Sequence, residues 1–161
     1  MKQLDLTLLY LIRGDEVLLA LKKRGFGEGR WNGVGGKLEP GESIEQALVR
    51  ECQEEIGVTP TMFEKIGEML YDEIHNDTRK LMNLHIYFAT EWEGGEVESE
   101  EMRPQWFKKT EIPYKDMWPA DQQWLSRALR GEKLKGKFVL DDSDQVVSQE
   151  LHKVQSFGTA L

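Results

Sequence analysis

The chain has 161 residues, 39% hydrophobic and 31% charged, with a formal net charge of −8. This length predicts one globular domain, and the longest apolar run, residues 8–12, is far shorter than the roughly 20 residues of a membrane span. A nucleic-acid polymer requires a basic face, so the acidic balance argues against such a partner. A small anionic substrate remains compatible, because a divalent cation can mediate its binding.

Cys52 is the one cysteine in the sequence, which excludes an internal disulfide and a four-cysteine zinc site. This usage favours the reducing cytosol, so we expect a cytoplasmic protein. The apolar start resembles a signal peptide superficially, but Asp5 interrupts it and no small-residue cleavage site follows. Nothing in the composition argues for a dimer, and we expect a monomer.

The first third of the chain reads as two strands and a loop. Residues 4–12 alternate in a way that is typical of a strand, and residues 16–23 are apolar enough to predict a central strand. Residues 25–36 are dense in glycine and predict a loop.

A helix is predicted at 44–56. Ser43 precedes the apolar-periodic run and Gln46 follows three positions later, which is typical of a capping box. Gly57 provides the stop signal.

The remaining segments predict further strands and one more helix, so the whole chain reads as one mixed α/β (α+β) unit. Pro119 is expected in the first turn of that helix, which Asp121 to Leu129 continues. The turn His75 to Lys80 is expected to join two long strands. The predicted strands lie at 65–74, 81–90, 105–108, 135–140 and 145–151.

The helix 44–56 has an unusual distribution of charge. Its apolar stripe comprises Ile44, Ala47, Leu48, Cys52 and Ile56. At about 100° per residue, Glu51 and Glu55 project along this stripe and Glu54 lies at its edge. Gln46, Arg50 and Gln53 are expected on the opposite, solvent side.

Adjacent carboxylates on a buried stripe are destabilising. Two carboxylates about 4 Å apart repel by roughly 4 kcal/mol at an effective dielectric near 20. A bound divalent cation would remove this cost, and ligands that are all oxygen favour Mg²⁺ or Mn²⁺ over zinc. The alternative is an ordinary solvated helix rich in glutamate.

The segment 36–58, GKLEPGESIEQALVRECQEEIGV, resembles the Nudix box, G-x5-E-x7-R-E-U-x-E-E-x-G-U, in which U is aliphatic. One departure is Cys52 at an aliphatic position, where cysteine behaves as a small hydrophobe. Eight positions fall on the pattern without a gap: Gly36, Glu42, Arg50, Glu51, Glu54, Glu55, Gly57 and Val58.

The flanking segments KKRGFGEGRWNGVGGK, EMRPQWF and KDMWPADQQW are similar to the animal-type 8-oxo-dGTP diphosphatases of the Nudix family, which are MutT homologues. The similarity implies one Nudix hydrolase domain at 1–155 and a C-terminal tail at 156–161. It also implies a mixed β-sheet sandwiched between α-helices. The implied activity is Mg²⁺-dependent hydrolysis of oxidised purine nucleoside triphosphates, a step in nucleotide-pool sanitation.

The resemblance also implies residue roles. Arg50 matches the box arginine, which orients a glutamate. The implied metal ligands are Glu51, Glu54, Glu55, Glu101 and the carbonyl of Gly35. Water is the expected nucleophile, and Glu55 or Glu101 is the expected base, without a choice between them.

Substrate binding is assigned by the same resemblance. Lys22 and Lys37 would meet phosphate charge, Asn32 would bond a purine edge, and Phe26 and Trp118 would stack on the base. Core packing is an equal alternative for Phe26. The full implied set is Thr7, Lys22, Phe26, Asn32, Val34, Gly35, Gly36, Lys37, Trp118, Pro119, Ala120 and Asp121.

One position departs from the animal enzymes. They carry two successive aspartates after Trp-Pro, whereas this chain has Ala120 and Asp121. A single carboxyl should adapt less well to different bases, so we expect a narrower or shifted base preference.

Two alternative functions remain. One is a Nudix hydrolase of methylated dGTP, a dinucleoside polyphosphate or a nucleotide sugar, and the other is a non-catalytic Nudix-fold binding module.

Overall fold

A mixed sheet of eight strands lies between two helices in the computed structural model, which describes residues 2–158. A single 3-10 turn at Tyr114–Asp116 precedes the second helix. The elements are β1 Lys2–Arg13, β2 Glu16–Lys22, β3 Trp31–Asn32, α1 Ile44–Ile56, β4 Thr59–His75, β5 Thr78–Glu93, β6 Met102–Lys108, α2 Asp121–Leu129, β7 Lys133–Leu140 and β8 Val146–Val154.

The strands are ordered β3-β2-β1-β5-β4-β7-β8, and β6 pairs along β2. β1 is parallel to β5 and β4 is parallel to β7, whereas the other pairs are antiparallel. The predicted central position of β2 is confirmed, because β2 pairs with β1, β3 and β6 and has four fully buried residues in its middle.

Alternate residues of β1 serve two separate cores, one on each face of the sheet. Leu8 and Tyr10 belong to the core that includes Trp124 of α2. Leu9 and Leu11 belong to the core under α1. This alternation follows from the two-residue period of a strand, and it confirms the expected sheet between helices.

Helix α1 has the predicted bounds and both predicted ends. The Ser43 side chain accepts a hydrogen bond from the Gln46 backbone N–H at 3.1 Å, and the Gln46 side chain accepts one from the Ser43 N–H at 2.9 Å. Gly57 ends the helix in the left-handed region with φ of 72°, a conformation that glycine adopts without a steric cost.

The β4–β5 hairpin is longer than the sequence predicted, and its turn is shorter. Asn76 and Asp77 form a two-residue turn with φ of 50° and 64°, which matches the positive φ that tight hairpins require. The prediction of a wide turn from His75 to Lys80 was wrong, because Thr78 already pairs with His75. Arg79 reinforces the extension with bonds of 2.9 and 2.8 Å to the Asp72 carboxylate.

Helix α2 begins later than its proline indicated. Pro119 lies in the preceding turn, and Ala120 takes the capping position before Asp121. No helix within residues 2–158 is both long and apolar enough to cross a membrane. Of the predicted tail 156–161, residues 159–161 lie outside the described residues.

Candidate active site

A cleft of about 240 Å³ opens between one face of the sheet and the glycine-rich loop that follows β2. Most of the residues on its sheet wall are apolar, and polar groups come both from the strands and from the surrounding loops. It is lined by Leu6, Thr7, Leu8, Ala20, Lys22, Phe26, Gly27, Arg30, Asn32, Gly33, Gly35, Gly36, Glu55, Tyr71, Glu73, Met82, Leu84, Met102, Trp118, Ala120, Asp121, Leu140 and Asp144.

Arg50 organises the carboxylates of α1. Its guanidinium bonds both oxygens of Glu42 at 2.6 and 3.0 Å and donates to Glu51 Oε1 at 2.9 Å. A further bond of 3.1 Å reaches the Lys37 carbonyl. The predicted solvent-facing position of Arg50 was wrong, because these bonds fold a side chain that is only 21% exposed back against the protein. The same bonds hold the pKa of Glu42 below its usual value.

Glu51 and Glu55 lie beside the glycine pair at the start of the box. A Cβ on Gly36 would lie 2.7 Å from the Glu51 carboxylate, and a Cβ on Gly35 would collide with the Thr7 carbonyl oxygen. Glycine at position 36 therefore lets the backbone approach the Glu51 carboxylate, and glycine at position 35 lets it approach the backbone of β1.

The carboxyl group of Glu55 is buried beside a second carboxylate, and one of its oxygens lacks a hydrogen-bond partner among the described residues. Burial and then the neighbouring Glu51 raise the pKa of Glu55 to about 8. Its Oε2 atom is buried, and no hydrogen-bond partner for it is present within residues 2–158. A buried, unpartnered carboxylate oxygen beside a second carboxylate suits a divalent cation, so these residues fit the metal expected from the sequence.

The two other expected acidic ligands have different surroundings. Glu54 has a side chain that is 59% exposed and forms an ion pair with Arg50 at 3.2 Å. Glu101 pairs with Lys22 at 3.2 Å and with Arg24 at 2.9 Å. Arg24 and then Lys22 lower the pKa of Glu101, so this carboxylate is ionised beside the mouth of the cleft.

Asn32 presents a defined hydrogen-bonding pattern to the cleft. Its Oδ1 atom accepts from the Gly33 backbone N–H at 2.8 Å and from the Tyr10 hydroxyl at 3.2 Å. The backbone donor fixes the orientation of the amide, since an N–H requires an acceptor. The Asn32 NH₂ group is therefore the part left to donate to a ligand.

Asp121 is 1% exposed and lies at the cleft wall. The Tyr71 hydroxyl donates to Asp121 Oδ1 and accepts from the Trp124 indole N–H at 2.9 Å. Burial raises the pKa of Asp121 to about 6, while these polar neighbours oppose the rise.

Phe26 and Trp118 form an aromatic pair at the mouth of the cleft. Their ring centroids are 5.2 Å apart with a tilt of 31° between the planes, and the Arg30 guanidinium lies 4.3 Å from the Trp118 centroid. Phe26 is 72% exposed, so core packing does not explain it. The exposed ring of Phe26 offers an apolar surface to a planar ligand.

Most of the expected substrate-binding residues line this cleft, but three do not. The Val34 side chain is 2% exposed and packs in the core under α1. Lys37 is exposed and pairs with Leu6 through the backbone. Pro119 lines a separate depression on the other side of its turn.

Sequence reasoning missed the contribution of β4 and of the β7–β8 turn. Tyr71, Glu73 and Asp144 line the cleft, yet none lies in the box or its flanking segments. Ligand atoms of Glu73, His75 and Asp144 lie within 4.8 Å of one another. Glu73 does not stand out in the sequence, because β4 also carries Glu64, Lys65, Glu68 and Asp72.

The NUDIX domain model matches residues 2–156. The oxidized purine nucleoside triphosphate hydrolase of Mus musculus is 42% identical over 151 residues, covering 94% of this chain and 96% of that protein. The enzyme of the same name from Danio rerio is 43% identical, covering 93% and 95%. The crystal structure of the mutator MutT protein from Bacillus halodurans aligns with a TM-score of 0.80 at 29% identity, covering 92% and 97%. The chain belongs to the NUDIX family.

Proposed function

We propose that this protein hydrolyses oxidised purine nucleoside triphosphates, such as 8-oxo-dGTP, to the nucleoside monophosphate and pyrophosphate. The observation that carries the proposal is one cleft that joins Glu55, at the acidic end of α1, to Asn32 and Asp121, which can bond a base edge. The names of the mouse and zebrafish relatives support the same substrate class. The role is nucleotide-pool sanitation.

The residues that would hold Mg²⁺, or Mn²⁺ in its place, are Glu51, Glu54, Glu55, Glu101 and the Gly35 carbonyl. When bound, the metal supplies charge neutralisation at the phosphates and lowers the pKa of a bound water. Arg50 orients Glu51 through its 2.9 Å bond. Glu55 or Glu101 takes the proton from the attacking water.

The substrate would lie along the cleft with its phosphates toward α1. We assign the phosphate end to Thr7, Lys22 and the segment 34–37, of which Gly35 and Gly36 line the cleft. Lys22 would supply positive charge there. Phe26 and Trp118 flank the base, and Asn32 and Asp121 bond its edge. The segment 118–121 shapes this end, and Ala120 in place of a second carboxyl narrows the base preference.

We assign the hydrolase domain to 1–155 and the tail to 156–161. The protein acts as a cytoplasmic monomer on a small-molecule nucleotide, without a nucleic-acid polymer or a membrane as partner. The acidic net charge of −8 supports the exclusion of nucleic acid.

The test measures pyrophosphate release from 8-oxo-dGTP and from dGTP, with Mg²⁺ and with a chelator. We expect metal-dependent release and a kcat/KM preference for the oxidised base of about tenfold or more, which equals about 1.4 kcal/mol in transition-state binding. Glu51→Gln should reduce kcat by about 100-fold or more, whereas Glu45→Gln, at an exposed site on the same helix, should not.

Two results would contradict the proposal at different levels. Metal-dependent cleavage of both nucleotides at similar rates would reject the oxidised-base preference but retain the hydrolase. Absence of release from either nucleotide would reject the triphosphate substrate, and methylated dGTP, dinucleoside polyphosphates and nucleotide sugars would then be assayed.

A further inference from the structure

Glu73 is a buried carboxylate on the sheet wall of the cleft. It is 3% exposed and lines the cleft two residues after Tyr71 on the same strand. Residues two apart on a strand share a face, so Tyr71 and Glu73 point toward the same space. Their strand neighbours Met82 and Leu140 are apolar and line the cleft too.

The charge of Glu73 is balanced, but its hydrogen-bonding capacity is not used. Lys80 Nζ and His75 Nε2 each lie 3.7 Å from a Glu73 oxygen, which is beyond hydrogen-bond distance. Among the residues that the structure describes, none donates a hydrogen bond to this carboxylate. A ligand that donates a hydrogen bond to this carboxylate would therefore find an acceptor that no described side chain occupies.

Glu73 extends an ordered row of polar groups along the cleft. The Tyr10 hydroxyl donates a hydrogen bond to Asn32 Oδ1, and Asn32 and Asp121 line the same cleft. Tyr71 bonds Asp121, and Glu73 is the next residue on that face. The row therefore runs from the donor NH₂ of Asn32 to the acceptor Asp121 and then to the acceptor Glu73.

This order matches one purine edge. Guanine presents an acceptor (O6), a donor (N1–H) and a second donor (the 2-amino group), whereas adenine presents a donor and an acceptor. We propose that Glu73 is a specificity-determining residue that accepts a hydrogen bond from the 2-amino group of a guanine-type base. The inference rests on the proposed function and supplies the acceptor that Ala120 lacks.

A metal ion on Glu73, His75 and Asp144 is the competing explanation. The ligand atoms of these residues lie within 4.8 Å of one another, so Mn²⁺ binding is one of the outcomes that the experiment separates. Lys80 already pairs with Glu73 at 3.7 Å, and a neutral base adds no further charge beside this pair.

The experiment compares dGTP with dITP, which lacks only the 2-amino group. We expect the wild type to prefer dGTP by about tenfold in kcat/KM, the discrimination typical of one base contact. Glu73→Leu removes the acceptor and should reduce that ratio to about twofold or less, mainly by slowing dGTP. Glu64→Gln, at an exposed position of the same strand, should retain the wild-type ratio.

Calorimetric dissociation constants for dGMP and dIMP give a second readout that does not depend on turnover. A wild-type dGMP preference that disappears in Glu73→Leu supports the inference even if the triphosphates are not cleaved. If that variant does not fold, Glu73→Gln, which retains one oxygen acceptor, should lower the ratio by about threefold.

Three results would overturn the assignment. They are a wild-type ratio near one in both assays, a ratio unchanged by both Glu73 variants, and failure of either monophosphate to bind. Tight Mn²⁺ binding that Asp144→Asn abolishes would instead establish the metal site. Metal-dependent pyrophosphate release is measured independently of these assays. The proposed function can therefore hold even if the role of Glu73 is rejected.

Discussion

The hydroxyl of Tyr71 donates a hydrogen bond to the carboxylate of Asp121 beneath the cleft. The same hydroxyl accepts a bond from the Trp124 indole at 2.9 Å, so one oxygen satisfies two buried groups on α2. This links β4 to α2 and holds Asp121 in one position at the cleft wall. Asp121 is therefore preorganised by residues outside the cleft-forming loops.

Tyr71→Phe should destabilise the protein by about 1–3 kcal/mol, because the Asp121 and Trp124 polar groups lose their shared partner. Urea unfolding at neutral pH measures the change. Tyr114→Phe is the matched control, since no hydrogen bond of the Tyr114 side chain is present within residues 2–158, and it should change stability by less than about 0.5 kcal/mol. Equal effects of the two variants would reject the bridging role of Tyr71.

Asp121→Asn should change the pH dependence of stability. Burial raises the pKa of Asp121 from 3.8 to about 6, so between these values the native state holds a proton that the unfolded chain has lost. Stability conferred by the protonated group is therefore lost as pH rises through this window. The wild type should lose up to about 3 kcal/mol relative to the asparagine variant between about pH 4 and pH 7.

Urea titrations across that pH range provide the measurement. Asp116→Asn, at an exposed site, is the control and should track the wild type. A constant difference between wild type and Asp121→Asn at every pH would show that Asp121 does not titrate in this window.

Helix α1 was predictable because its signals are local. The capping box of Ser43 and the stop at Gly57 need only neighbouring residues. The acidic cluster was also predictable, since helical spacing alone places Glu51 and Glu55 on one face. The position of Arg50 was not, because its bonds to Glu42 and the Lys37 carbonyl form only after the loop folds back.

Which residues of β4 line the base end of the cleft depends on how β4 aligns with its neighbouring strands. The sequence does not specify this alignment. Tyr71 and Glu73 reach the cleft because of how β4 aligns with β5 and β7. Register shifts between residues 60 and 67 change the alternation of β4, so counting from the start of the strand assigns later residues to the wrong face. The partnership of Tyr71 with Asp121 joins residues 50 positions apart.

Gly36→Ala should reduce Mg²⁺ affinity and activity. The added Cβ would lie 2.7 Å from the Glu51 carboxylate and displace it. We expect kcat/KM to fall by about tenfold or more, because small displacements at a reacting centre are costly. Gly95→Ala is the control, since its Cβ meets no atom within 4 Å; pyrophosphate assays at several Mg²⁺ concentrations compare the two.

Glu55→Gln should stabilise the metal-free protein while removing activity. Burial and Glu51 raise the pKa of Glu55 to about 8, so stability falls as pH rises from the unfolded value of 4.5 toward 8, and glutamine avoids this loss. At about pH 8 the variant should gain at least about 1 kcal/mol, or about 3 °C in melting temperature. Mg²⁺ should raise the melting temperature of the wild type and of the control Glu45→Gln, but not of Glu55→Gln. If metal-free Glu55→Gln were less stable than the metal-free wild type, the buried charge of Glu55 would not be destabilising.

Cys52 lies in the core under α1 with no exposed surface. Burial and then the nearby Glu55 raise the pKa of its thiol to about 12. Oxidants such as peroxide attack the thiolate, and they require access to it. Burial and the raised pKa both disfavour oxidation of this thiol. We therefore expect the protein to keep its activity under the oxidative conditions that generate damaged nucleotides.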